Sequence, residues 1–231
     1  MSSARSQAAP INMMGVLADG LDVYKRAFTT IWAVTLIFVV PVGVIGYFST
    51  NSVILRVIYA VASIIIYLYI TGFLIKIVQE VRLVGQAPIA SIGTLLSAIT
   101  PRLWPLFLLG IVVSLGVYIG LIFLVIPGVI LLIIWSVAVQ ALIIEKCGVW
   151  SAINRSVALT RGNRLRILWL AVILLLIYLV LVLICGMLAS VASIVGLIAF
   201  ILLGVLLYPY AAVITTVLYY DLLEAHGEAG R

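Results

Sequence analysis

A chain of 231 residues that is 66% hydrophobic and 9% charged lies outside the soluble norm of roughly half apolar and about a quarter charged. That composition excludes an ordinary water-soluble globular fold. With a mean hydropathy of +1.41 and thirteen Lys and Arg against seven Asp and Glu, the expectation is one polytopic membrane domain whose basic excess meets anionic lipid rather than nucleic acid.

Taken in order, residues 1–11 are small and largely polar and read as a disordered tail. The first apolar run starts only near Ala27 with no small-x-small cleavage site after it, so it reads as a retained helix. Before it, Leu17, Leu21, Tyr24 and Phe28 recur at helical spacing, with Asp19, Asp22, Lys25 and Arg26 opposite, which predicts an amphipathic helix at a membrane surface. A first span is expected over 28–48 and a turn at Ser49 to Ser52. A second span then runs from Arg56, which can snorkel to headgroups, to Lys76.

The 76–102 segment carries a second stripe at Ile92, Leu95, Leu96, Ile99 and Leu103. Pro101 and Pro105 bracket Trp104 as an interfacial break. Arg102 and Glu145 then enclose about forty uncharged residues, enough for two crossings of roughly 20 residues. Pro127 and Gly128 punctuate them, predicting a third span over 105–125 and a fourth over 127–144, against a rival re-entrant pair that never crosses. Gln140 is the strongest buried polar candidate, with Ser136 one turn before it; interhelical hydrogen bonding is the simplest use of that pair.

Five cations, Lys146, Arg155, Arg161, Arg164 and Arg166, gather between Glu145 and Trp169. Here Trp150, Ile153 and Val157 predict a third amphipathic face, and Gly162-Asn163 a helix stop and cap. The run from Ile167 to Tyr220 accommodates two more spans with a break at 186–193 and a kink at Pro209. The fold class expected is therefore all-α: six transmembrane helices as three hairpins, each preceded by an amphipathic helix on the cytoplasmic side. One domain covers 12–222, in repeat-like units of about 12–83, 84–147 and 148–222, and 223–231 form a polar tail. Among the cations only Arg56 falls in an outer loop, so positive-inside bias predicts both termini in the cytoplasm, at the inner membrane of a prokaryote.

The chemical inventory is thin. Cys147 and Cys185 have no metal spacing and read as free thiols, His226 lies in the polar tail, and no nucleophile, phosphate-loop or metal motif occurs. No enzyme activity, cofactor or metal is expected. Arg155, Arg161, Arg164 and Arg166 are candidate contacts for anionic headgroups or for a partner.

Ile126-Pro127-Gly128-Val129, then Glu145 with Gly148, Ala152 to Ser156 and Leu159 to Asn163, with Leu218 to Leu222 near the end, resembles the membrane-domain family of glycerophosphoryl diester phosphodiesterases and its six-span relatives. The motif positions are Pro127, Gly128, Glu145, Arg155, Ser156, Gly162, Asn163, Tyr220 and Asp221. The resemblance implies six spans and a cytoplasmic helix over the Glu145 to Asn163 region. It implies no phosphodiesterase activity, because the barrel that does that chemistry in some relatives has no counterpart in this sequence. Gln140 stands where many relatives carry proline, which bears on the bend of the fourth span. The function expected is a non-enzymatic scaffold, accessory subunit or lipid-interacting envelope factor, with other membrane proteins or a second copy as partners. The alternative is a carrier or channel for a small or lipidic molecule.

Overall fold

The computed structural model describes residues 10–48, 53–85, 92–191 and 193–228, and all regular structure among them is helical. Residues 1–9 of the expected tail, the turn expected at 49–52, and 229–231 lie outside this set. Helix α1 (Met13–Arg26) runs almost directly into α2 (Phe28–Phe48), because Ala27 donates to Val23 O at 3.0 Å and accepts from Ile31 N–H at 2.8 Å. Helix α3 (Val53–Val84) is longer at both ends than the span expected from Arg56 to Lys76. Its 32 residues measure about 48 Å at 1.5 Å per residue, well beyond a hydrocarbon core of about 30 Å. The final turns carry Lys76, Gln79, Glu80 and Arg82 as a rigid extension, ended by Gly85 at φ +78.

Helix α4 (Ile92–Ile99) passes through a 3-10 turn, Thr100–Arg102, into α5 (Leu103–Phe123). One extended residue, Leu124, separates α5 from α6 (Val125–Ile134). The two helices close tightly behind it: a Cβ on Gly120 would stand 2.8 Å from Gly128 Cα, and one on Gly128 would stand 2.6 Å from Leu121 N.

The fourth span, expected as one helix over 127–144, is two, with α7 (Ala138–Ile144) following a break at Trp135 to Val137. The Trp135 ring lies over Gly116, where an added Cβ would come within 2.4 Å of it. Beside it the backbone tightens, Ser136 N–H to Ile133 O at 3.3 Å and Ala138 N–H to Trp135 O at 3.1 Å. That rearrangement takes from Ile134 O its ordinary partner four residues on, and Ser156 Oγ donates to this carbonyl at 2.7 Å instead.

Ser156 belongs to α8 (Val149–Leu159), after which Gly162 at φ +90 reverses the chain into α9 (Arg164–Val191). Helix α10 (Ser193–Ala225) carries Pro209 in its interior and runs past the end expected near Tyr220.

The amphipathic faces differ from those read off the large apolar residues. On α1 the buried residues are Val16, Gly20, Val23 and Tyr24, while Leu21, and Phe28 at the start of α2, are exposed. On α8 they are Ala152, Ile153, Ser156 and Leu159, while Trp150 is 71% exposed. Small residues decide this, since Gly20 lets α1 close onto Ile214 of α10 and Ala152 and Ser156 let α8 close onto its neighbours. Large apolar side chains are free to face outward where the surroundings are as apolar as they are.

Five stretches are long and apolar enough to cross a membrane: Val53–Leu83, Leu96–Phe123, Val125–Ile144, Arg164–Leu188 and Val205–Ala225, with a shorter one at Phe28–Phe38. The helices pack most closely at the end bearing the charges. There α1, the last turns of α3 and α10, α7 and α8 bury Phe73, Leu74, Leu142, Leu159, Val217 and Tyr219.

Candidate functional site

Three consecutive residues of α10, Tyr219, Tyr220 and Asp221, organise the polar end. Tyr219 Oη donates to Glu145 Oε1 at 2.7 Å, and the same oxygen accepts from Arg155 Nε at 2.6 Å. The guanidinium of Arg155 also grips both oxygens of Glu228, which the chain brings back just beyond α10. On the adjoining side, Arg82 of α3 bonds Asp221 Oδ1 at 3.0 Å, reaches Asp19 of α1 at 3.8 Å, and lies 5.8 Å from the Tyr220 ring centre. Four parts of the chain that are distant in sequence are thereby joined to one turn of α10.

Each arginine meets more than one carboxylate because the site is only partly wetted. Arg155, Glu145 and Glu228 keep 26%, 30% and 31% side-chain exposure, so a lone charge there would be half-stripped of water. The Arg155 pKa is raised above its ordinary value, first by the bond to Glu228 and then by Glu145, against the opposing effect of burial. Beside this cluster the Cys147 thiol is held above its ordinary pKa by burial and by the charge of Glu145, and its Sγ faces Ala141 O at 3.6 Å. Both effects favour an unreactive thiol.

Five of the seven carboxylates, Asp19, Asp22, Glu145, Asp221 and Glu228, are committed to arginine. Among the described residues no three His, Cys, Asp or Glu converge on a possible metal position, and His226 Nδ1 is 2.8 Å from Leu222 O.

The four arginines singled out from the sequence separate. Arg155 is locked between Glu145 and Glu228, and Arg166 donates to Asn163 Oδ1 at 3.0 Å, which also accepts the Ile11 N–H at 3.3 Å. Among the described residues Arg161 and Arg164 form no ion pair, and Arg161 is exposed. Ser136 lies in the break before α7 and Gln140 within α7, so the two do not share one continuous helix. Gln140 is 5% exposed and its Nε2 donates to Thr215 Oγ1 at 3.0 Å, while its Oε1 and Ser136 Oγ meet no hydrogen-bond partner among the described residues. The motif positions have structural uses: Gly128 closes the α5–α6 hairpin, Ser156 satisfies the broken helix, Gly162 turns the chain, and Glu145, Arg155, Tyr220 and Asp221 enter the lattice.

Sequence reasoning missed Arg82, Tyr219 and Glu228 as members of this lattice. The available signal was the absence of any helix breaker between Pro209 and Gly227, which carries α10 far enough to return Glu228 to Arg155. A helical protein with several membrane-length apolar segments and a tied polar end is the class these features define. No protein-family model, curated protein or solved structure matches the chain.

Proposed function

We propose that this chain is a non-enzymatic integral membrane protein acting through its contacts with lipid and with other membrane proteins, as a scaffold, accessory subunit or envelope-organising factor. The observation that carries the reading is the commitment of polar side chains to one another: all four carboxylates of the lattice meet arginines and Glu145 also meets Tyr219, although Asp19 and Asp221 still border a cleft of about 320 Å³. Interaction surfaces remain instead. Leu21 of α1, Phe28 at the start of α2 and Trp150 of α8 are exposed, and Arg161 is exposed and forms no ion pair among the described residues. This suits a surface laid against headgroups, with apolar side chains entering the acyl boundary and cations meeting phosphate.

In this reading the polar end faces the cytoplasm of a prokaryotic cell and both termini lie there, following the cation bias of the sequence. Helices α2, α3, α9 and α10 cross as two hairpins. The α5–α6 hairpin, expected to cross as a third, is read as dipping into the near leaflet. Val125 and Ile126 at its tip line one groove with Arg164 and Leu165 at the start of α9, and α9 continues for about 35 Å beyond Leu168 at 1.5 Å per residue.

Extraction of the full chain from native membranes into lipid nanodiscs, without crosslinker, tests the function. The reading expects co-purifying membrane proteins or a defined homo-oligomer. A solitary particle holding a bound small solute would overturn it in favour of a carrier.

A further inference from the structure

One face of α3 carries two features that the lattice does not use. Toward the polar end, a cleft of about 220 Å³ lies between α3, the α4–α5 elbow and the end of α7, lined by Lys76, Ser97, Pro101, Arg102, Ile143 and Lys146 among others. Three of its lining residues are cations and none is acidic. Glu80, one turn further along α3, lies outside the lining and offsets one of the three charges in part. Toward the apolar end, an open groove of about 450 Å³ is lined by Ile64, Ile65, Leu68, Leu103, Trp104 and Phe107 with Val61 and Thr100.

The elbow divides the two. Ile99 presses on Gly72, where an added Cβ would stand 2.8 Å from Ile99 Cγ2, and Thr100 Oγ1 lies 3.2 Å from Tyr69 Oη. Val61, Ile65, Leu68, Gly72 and Lys76 therefore form one helical stripe that runs from apolar groove through crossing point to cation. Leu68 and Lys76 are about 12 Å apart along the axis at 1.5 Å per residue.

Two details indicate that the cleft is built for an anion. Lys76 is half-buried and shares the cleft with Ile99 and Ile143, both nearly fully buried, and its hydrogen-bond partner is the neutral amide of Gln79, at 2.8 Å. A cation in such surroundings calls for a counter-charge. Lys146 adopts φ +53, a left-handed conformation costly for a residue with a Cβ, and Arg102 holds it there by donating to its carbonyl at 3.0 Å.

We propose that the cleft and groove together bind one anionic phospholipid, its phosphodiester among Lys76, Arg102 and Lys146 and one acyl chain along α3 and α5 beside Trp104. Basic pockets between membrane helices recognise phosphate headgroups in this way, and the order of charge and apolar wall along α3 matches that of a lipid standing in the leaflet. The inference rests on the membrane reading above, but it names a discrete site in place of a general surface.

The test is native mass spectrometry of the full chain in non-ionic detergent, offered equimolar dioleoyl phosphatidylglycerol and dioleoyl phosphatidylcholine. Wild type is expected to retain one phosphatidylglycerol in preference to phosphatidylcholine. Lys76→Gln with Lys146→Gln should weaken that retention by about fivefold for each cation, roughly 25-fold together. Lys76→Arg with Lys146→Arg should restore it, which separates lost charge from lost fold, and Arg161→Gln with Arg164→Gln should change it less than about twofold. Ile65→Trp, which fills the groove and leaves the cations, should also release the lipid. Equal retention of the two lipids, or undiminished retention by the double glutamine variant, overturns the proposal. So does displacement of the lipid by millimolar inorganic phosphate combined with indifference to Ile65→Trp, which would make the cleft a site for free phosphate. These outcomes leave the nanodisc result untouched, so this proposal and the proposed function fail separately.

Discussion

The two ends of this molecule obey opposite rules. At the polar end Val213, Ile214, Val217 and Tyr219 are fully buried and charged side chains are held in pairs between helices. At the other end, far along α9, Leu183, Ile184 and Met187 are 67%, 48% and 72% exposed. In water the second end would be an aggregation surface. In hydrocarbon the ranking inverts: apolar side chains gain little by meeting one another, and close packing and polar contacts hold the helices together. The contrast assigns most of the stability of the fold to the polar end.

The sharpest way to break that contrast is to remove the cation shared by Glu145, Glu228 and, through Glu145, Tyr219. Arg155→Gln strands two carboxylates, and losing one partner of a buried pair costs roughly 3–5 kcal/mol. With these groups about a third exposed, screening reduces the expected loss to about 2 kcal/mol, read as a lowered midpoint of thermal unfolding in detergent. The matched change at the other end, Leu183→Ala, should leave that midpoint within about 0.5 kcal/mol of wild type. Equal losses at the two sites would abolish the contrast.

Gly128→Ala comes next. The new methyl would stand 2.6 Å from a backbone nitrogen, so the α5–α6 hairpin must open, at about 1–3 kcal/mol. Because that hairpin lies near the boundary between the two ends, the loss should appear as faster proteolysis near Leu124 as well as reduced stability. Tyr219→Phe removes a single hydroxyl from Glu145 and should cost about 1 kcal/mol by the same unfolding assay.

The smallest effect is kinetic. With its pKa raised, Cys147 remains a neutral thiol to higher pH than a solvated cysteine, so maleimide labelling near pH 8 should be slower than that of a cysteine at exposed Arg161. Replacing Glu145 with Gln removes one cause of the shift and should speed labelling. An unchanged rate in that variant would show that the carboxylate does not act on the thiol.

How far the sequence disclosed this arrangement depends on what each signal measures. Charge-free runs marked the membrane-length helices because that signal needs only composition, and Gly162 was legible as a stop because few other residues tolerate φ +90. Leu21, Phe28 and Trp150 are exposed, while the large-residue stripes did not include Val16, Gly20, Ala152 and Ser156, which are buried between helices because they are small enough for close approach. The break at Trp135 had no proline or glycine to announce it. It arises from a tryptophan meeting Gly116 across the hairpin and is sustained by Ser156, which donates to Ile134 O twenty-two residues back. The lattice was half legible: Glu145, Arg155, Tyr220 and Asp221 stood out as motif residues, but pairing with Arg82 and Glu228 depends on packing between distant helices.

The account turns on the charged connections sharing one face of the membrane while the bare helical arms lie in lipid. With Cys147 and Cys185 replaced by serine, single cysteines at Arg26, Arg161, Phe123 and Ser190 can be challenged with a membrane-impermeant maleimide from each side of sealed vesicles. The account predicts that Arg26→Cys and Arg161→Cys react from the same side, Ser190→Cys from the opposite side, and Phe123→Cys from neither. Reaction of the Arg26 and Arg161 positions from opposite sides would contradict it outright.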